Sequence, residues 1–346
     1  MKRCFTICLL VLLGCSQPSE TSHTGTQTGG QPPQETWEWP NDPVTFYANN
    51  PPVIDFATFQ PQALNVTPTY NSFYSPNDDL ELTADLQQLK NYKVIFLQGI
   101  MGNYVDFMGK LIMNKFNEYE YYYDYFDWLE SVGVEYELLK TDTEDPALDN
   151  SILLEEALEK STKPVVIVAH SKGGVETMLA LTARPSLHAK VKGVLFLQSP
   201  FYGTPVADYL QDHGVWDFLA NFVLMVLGGS SEGMHNLSTY ERVPWMAQWD
   251  FMVKYVMSRV KTLCFSTWKD DEPARRDSIF EFSRNKVKEN GVDNDGLVPW
   301  NSMILPEGRY VQFEGHDHAS PVTDQKYIAF DRARFFKAML RTLYSN

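Results

Sequence analysis

The sequence is short of pairable cysteine, of long apolar runs and of positive charge. Three of its four cysteines, Cys4, Cys8 and Cys15, lie at the very start of the chain. Cys264 is alone in the remainder, which excludes an internal disulfide framework there. Set between Leu263 and Phe265, it reads as a small buried core residue. The mostly apolar run at residues 4–13 is too short to span a bilayer, which takes roughly 20 residues as a helix. No internal period is found, so solenoids, propellers and coiled coils are excluded. Lys and Arg total 29 against 44 Asp and Glu, a formal net charge of −15. That balance argues against nucleic-acid partners and against electrostatic adhesion to anionic lipid.

What remains is an ordinary globular composition, with 44% hydrophobic and 21% charged residues over 346 positions. Lys2 and Arg3 before the apolar run have the form of a secretory signal. Leu12-Leu13-Gly14-Cys15 then resembles a bacterial lipoprotein signal. The resemblance implies cleavage after residue 14 and lipidation of Cys15, with an ordinary signal cleaved nearby as the other reading. Loss of Lys2 and Arg3 with residues 1–14 takes the charge from −15 to −17. Residues 15–36, rich in Ser, Thr, Gln, Gly and Pro, hold no large apolar side chain and read as a flexible tether. The expected location is extracytoplasmic, on a bacterial membrane of the cell envelope. Attachment would come from acyl chains, because the charge cannot supply it.

Residues 37–90 form no clear pattern and read as an irregular extension before a main domain at 91–346. There, residues 94–97, 165–168 and 194–197 are continuous apolar runs suited to strands buried on both faces. Residues 262–265 and 310–313 are weaker strand candidates. Tyr122, Tyr125, Phe126 and Leu129 share one helical face, as do Leu153, Leu154, Ala157 and Leu158; residues 324–343 close the chain as an amphipathic helix. Alternation of strand and helix indicates an α/β fold, a mostly parallel sheet with helices on both faces. It is interrupted at about 206–260, which reads as an inserted helical cap.

The most informative stretch is Val165-Val166-Ile167-Val168-Ala169-His170-Ser171-Lys172-Gly173-Gly174-Val175. Ala169-His170-Ser171-Lys172-Gly173 is a G-x-S-x-G elbow with alanine at the first glycine. A buried strand precedes it, and a helix with Val175, Met178, Leu179 and Ala183 on one side follows. Such a turn lifts the Ser171 hydroxyl clear of the sheet. It needs small residues at 169 and 173, because strand and helix nearly touch there. The helix N-terminus also favours developing negative charge. A nucleophilic serine is followed, in this arrangement, by an acid and then a histidine along the chain. His170 precedes the serine and is expected to point away. Of the seven histidines, His316 and His318 alone follow the later strands. Both remain candidates for the base. Asp293 and Asp295, in Asp293-Asn294-Asp295-Gly296-Leu297-Val298-Pro299, are the candidate acids. The run lacks the spaced ligands of a calcium-binding EF-hand loop.

From about residue 93 to 321 the chain resembles bacterial triacylglycerol lipases and esterases of the α/β-hydrolase superfamily. The likeness rests on the Ser171 elbow, on Leu97-Gln98-Gly99-Ile100-Met101-Gly102, on Asn294-Asp295-Gly296-Leu297-Val298, on Ser199-Pro200-Phe201-Tyr202-Gly203-Thr204-Pro205 and on Gly315-His316-Asp317-His318-Ala319-Ser320. It implies an α/β-hydrolase fold and hydrolysis of carboxylic esters, including lipids, through an acyl-enzyme. Ser171 would be nucleophile, Asp295 acid and His318 base, with His316 the alternative base. The backbone N–H groups of Ile100 and Lys172 would form the oxyanion hole. Gln98 replaces the histidine usual in the relatives' loop. Thr204 and Pro205 would cap and open a helix. A lid is expected near there, and the apolar residues Phe218 to Leu227 are its candidate. Tyrosines in 119–128 line an acyl groove or pack as an amphipathic helix. Relatives often bind calcium beside the histidine loop, but Ser320 stands where an acidic ligand is expected, so neither metal nor cofactor is carried over. The expected partners are an ester or lipid substrate and the membrane. An acyltransferase or thioesterase with the same triad, and a non-catalytic surface-binding lipoprotein, are the alternative functions.

Overall fold

A computed structural model describes residues 51–99, 121–141, 145–213, 231–270, 280–323 and 330–345. The leader and tether expected at 1–36 lie outside the described residues. Among the described residues seven strands form one parallel sheet: β1 (Leu64–Asn65), β2 (Lys93–Leu97), β3 (Glu135–Leu138), β4 (Val165–His170), β5 (Val191–Leu197), β6 (Thr262–Trp268) and β7 (Arg309–Glu314). Their spatial order is β1-β7-β6-β5-β4-β2-β3. From β2 the chain steps out to β3, then returns to place β4 on the other side of β2 and continues through β5 and β6 to β7. The winding therefore reverses between β2 and β4. A crevice opens at such a reversal beyond the carboxyl ends of the strands, and ligands of open α/β sheets bind there.

The sequence explains the central strands. Val165, Val166, Ile167, Val168 and Ala169 are all fully buried, so β4 has no polar face. Alternate side chains feed two different cores. Val94, Phe96, Val166 and Val168 meet Tyr125 and Leu129 of one helix and Phe336 and Leu340 of the closing helix. Ile95, Val165 and Ile167 face the other way, onto Leu154, Leu158, Met178, Leu181 and Val253. Each such side chain contributes about 1.5–3 kcal/mol on burial.

The helices are α1 (Thr67–Phe73), α2 (Tyr123–Ser131), α3 (Ala147–Lys160), α4 (Lys172–Ala183), α5 (Pro205–His213), α6 (Ser231–His235), α7 (Thr239–Gln248), α8 (Asp250–Arg259), α9 (Glu281–Lys288) and α10 (Arg332–Tyr344). Between β5 and β6 the described residues contain helices α5 to α8 and no strand. The candidate lid at 218–227 lies outside the described residues. Thr204 Oγ1 accepts from the Val206 N–H at 3.2 Å and Pro205 opens α5, the capping pattern read from the sequence.

Four readings change. From residue 51 onward the stretch taken as irregular supplies β1, α1 and a 3-10 helix, and Val66, Tyr70, Leu86 and Leu89 join the main core. Its strand of two residues is too short to show alternation, and backbone bonds from Leu64 to Gly308 and from Val66 to Tyr310, both 2.8 Å, hold it to β7. Leu153 is exposed, because the inward face of α3 runs through Ala147, Asn150, Ser151, Leu154 and Leu158. Ala183 is exposed too, at the frayed end of a helix otherwise buried almost all round. The closing helix begins at Arg332, where Asp331 caps it by accepting from the Arg334 N–H at 3.0 Å. Tyr121, Tyr122, Tyr125 and Trp128 are buried in the core, whereas Tyr119 lies outside the described residues. Cys264 is buried on β6.

Candidate active site

Ser171 sits between β4 and α4 with φ 54° and ψ −124°, a conformation that a side chain normally avoids. The surroundings enforce it. Its own N–H donates to the Leu197 carbonyl at 2.9 Å, and its carbonyl accepts from Gly174 at 3.0 Å. Strained serines held this firmly mark functional turns. The small residues around it are dictated by space. A Cβ on Gly173 would come within 2.8 Å of the Leu97 Cβ, and one on Gly174 within 2.5 Å of the Ser199 Cβ. Gly99, on the loop after β2, faces the serine itself: a Cβ there would lie 2.6 Å from the Ser171 Cβ.

The strand order brings three distant segments to this crevice. His318 Nε2 is 2.9 Å from Ser171 Oγ, across 147 residues of sequence. His318 Nδ1 is 2.6 Å from Asp295 Oδ2. Asp295 Oδ1 accepts from the backbone N–H groups of Leu297 at 3.0 Å and Val298 at 2.8 Å. The His318 N–H also donates to the Asp295 carbonyl at 2.9 Å, so acid loop and base loop are stitched by backbone as well. Every partner of the Asp295 carboxylate is a donor. It therefore holds the imidazole with the proton on Nδ1, leaving Nε2 to accept from the serine hydroxyl. Ser171, Asp295 and His318 are all buried.

The other candidates fall elsewhere. His316 turns away: its Nδ1 is 2.9 Å from the Glu314 carbonyl, and its ring packs on Phe313 and Phe330. Asp293 is exposed. Lys172 is the first residue of α4, directly after the serine. Ile100 lies outside the described residues. Ser320 Oγ donates to Asp317 Oδ1 at 2.8 Å, which ties off the histidine loop internally. A groove of about 690 Å³ between Pro146, Leu179 and Trp245 is lined by none of the three triad positions.

His170 is a correction. Expected to point away from the site, it is buried beside the triad, its ring centre 4.7 Å from that of His318. Its Nε2 lies 2.9 Å from the His318 carbonyl and 3.2 Å from Gln198 Oε1, while its Nδ1 meets the Tyr121 hydroxyl. Burial, reinforced by the neighbouring His318, holds its pKa well below the ordinary imidazole value. Gln198, directly after β5, donates to Thr267 Oγ1 at 2.5 Å and to the Asp317 carbonyl at 2.9 Å. Sequence reasoning missed Tyr121 and Gln198. The one available signal was their position at the edge of a buried strand or aromatic run.

Lys172 and Glu176 form a second buried group, on the first turn of α4. Lys172 Nζ donates to the Asp145 carbonyl and stands 3.4 Å from Glu176 Oε1, which also accepts from Asn150 Nδ2 at 2.7 Å. Burial pushes the Glu176 carboxyl up to about 7, against the pull of Lys172.

With this geometry in view, the likenesses to known proteins are informative. Residues 125–212, which include Ser171, match the family model described as Serine hydrolase. The crystal structure of a metagenomic carboxyl esterase superposes with a TM-score of 0.57, at 19% identity, covering 73% of this chain and 76% of that one. The mature form of a Bacillus licheniformis lipase gives 0.54 at 18% identity, covering 72% of this chain and 91% of that one. A comparison with curated proteins finds no similar sequence. The chain has the α/β-hydrolase fold, with a mostly parallel sheet, helices on both faces and a serine at the elbow after its central strand.

Proposed function

We propose that the chain is a serine hydrolase that cleaves carboxylic esters through an acyl-enzyme on Ser171. The observation that carries this reading is the continuous hydrogen-bonded series from Ser171 Oγ through the His318 imidazole to Asp295, at 2.9 and 2.6 Å. Ser171 Oγ attacks the ester carbonyl while His318 Nε2 takes its proton. The carbonyl oxygen gains the negative charge, and in this reading the N-terminal end of α4, with the Lys172 N–H, stabilises it. Collapse of the tetrahedral adduct breaks the bond to the alcohol, which leaves with the proton from His318. Water then enters and attacks the acyl carbon while His318 accepts its proton; collapse breaks the bond to Ser171 Oγ, which takes that proton back from His318, and the acid is released. Asp295 keeps the imidazole in one tautomer and stabilises its cationic form throughout. The likeness to an esterase and a lipase supports the ester as substrate.

A series of nitrophenyl esters of increasing acyl length tests the reading. The parent hydrolyses them and Ser171→Ala does not; equal turnover by both would overturn it. A rate jump above the solubility limit of long-chain esters marks a lipase, and preference for acetate or butyrate marks an esterase.

The same proposal puts the enzyme on the bacterial cell envelope by a lipid on Cys15, the tether at residues 15–36 letting it stand off the membrane. The short basic and apolar leader supports this. No helix among the described residues is long and apolar enough to cross a membrane. Cys15→Ala is expected to abolish incorporation of labelled palmitate, and label retained in that variant contradicts the anchor.

A further inference from the structure

His170 and Tyr121 are polar side chains sealed beside the reacting groups, and the hydrolytic steps use neither. Their hydrogen bonds have one consistent direction. The His318 carbonyl can only accept, so His170 Nε2, 2.9 Å away, carries the proton. Gln198 agrees, since its amide nitrogen is spent on Thr267 and Asp317 and its oxygen faces the same Nε2 at 3.2 Å. A neutral His170 then presents a lone pair at Nδ1, and the Tyr121 hydroxyl donates to it. The Tyr121 oxygen in turn accepts from the Gly99 N–H at 3.2 Å. The series runs from the Gly99 N–H through Tyr121 Oη–H to His170, and from His170 Nε2–H to the carbonyl of His318.

Its two ends are the parts of the site that must be in register. Gly99 belongs to the loop after β2 that faces the nucleophile and immediately precedes residue 100. His318 is the base. Among the described residues no strand or helix joins these loops directly; they follow β2 and β7, at opposite sides of the central strands.

We propose that His170 and Tyr121 are positioning residues that couple Gly99, at the turn after β2 that faces the nucleophile, to the His318 loop, fixing that turn and the elbow it packs on relative to the base. This rests on the ester-hydrolase reading, and it adds two residues to the machinery of that reaction. A gap of about 1 Å between reacting groups can cost roughly a hundredfold in rate, so such a brace matters to kcat while substrate binding is spared.

Three variants test it. Tyr121→Phe deletes only the hydroxyl, and kcat on a nitrophenyl ester is expected to fall roughly tenfold with KM unchanged. His170→Leu removes both bonds and should lose roughly a hundredfold. His170→Gln keeps an N–H donor near the ε position, and should recover much of that loss if the bond to the His318 carbonyl is what counts. Folding is checked by thermal melting of each. Folded Tyr121→Phe and His170→Leu proteins with parental kcat would overturn the proposal, as would equal losses in kcat for His170→Gln and His170→Leu. Long-range 1H–15N NMR of the parent supplies a readout independent of turnover. His170 should be the Nε2–H tautomer, and an Nδ1–H tautomer contradicts the arrangement. If the parent hydrolyses no ester yet shows this tautomer, the ester-hydrolase reading fails while the hydrogen-bond series stands.

Discussion

Asp295 and Glu176 are both carboxylates closed to water, at 0% and 1% exposure, and both lie close in the fold to Ser171, yet they are held in opposite ways. Asp295 accepts from two backbone N–H groups and from the His318 ring, so both oxygens are engaged by donors fixed in the fold. Glu176 relies on two side chains, Asn150 and Lys172, both at the same oxygen, while its Oε2 has no hydrogen-bond partner among the described residues. Burial wins there and drives its pKa up to about 7. The difference teaches how a buried acid is made directional. Backbone donors keep Asp295 as an acceptor aimed at one imidazole nitrogen. Glu176 instead anchors the stem of Lys172 against the first turn of α4, under the elbow, and stays close to the balance between its two protonation states.

The strongest perturbation of the triad side is Ser171→Ala, which should lower kcat by on the order of a millionfold without disturbing the melting temperature. Asp295→Asn should follow, with a loss of about ten-thousandfold in kcat. Its amide can still accept from Leu297 and Val298, but its NH2 then faces His318 Nδ1 and forces the wrong tautomer. A smaller effect, roughly a hundredfold in kcat, is expected from Gly99→Ala, whose new Cβ would lie 2.6 Å from the Ser171 Cβ and push the loop off the nucleophile. Circular dichroism and melting should show that protein folded.

Glu176→Gln sharpens the comparison from the other side, with turnover within a few-fold of parent. Its signature is in stability. Because the folded state holds the Glu176 proton more tightly than the unfolded chain, folding binds a proton between pH 4.5 and about 7, so the parent loses stability as pH rises through that window. The loss is on the order of a few kcal/mol, and it should flatten in Glu176→Gln when melting is followed from about pH 4 to 8. Parallel curves for the two proteins would remove the contrast between the carboxylates.

How much of this was legible in the sequence follows from the range of the interactions involved. The elbow is local. Five adjacent residues and an apolar strand define it, and the backbone at Ser171 has the strained turn that the pattern requires. Chain order narrowed the base to two histidines, but only the fold separates His318 at the serine from His316 against Phe313 and Phe330. His170 was misplaced because its partners, Gln198 and the His318 carbonyl, are 28 and 148 residues away, and neighbouring residues say nothing of them. β1 escaped notice for a related reason: two residues paired with β7 leave no periodicity to read. The face of α3 was misread at Leu153, where a run of apolar residues conceals which side turns inward.

The central claim is that the Ser171 hydroxyl is activated by His318. A fluorophosphonate probe followed by peptide mass mapping tests it most directly. The parent should carry one phosphonate adduct, on the peptide containing Ser171, and His318→Ala should react at a small fraction of the parental rate. Folded parent protein that takes up no adduct, or an adduct on another residue that persists at the parental rate in His318→Ala, would contradict the account.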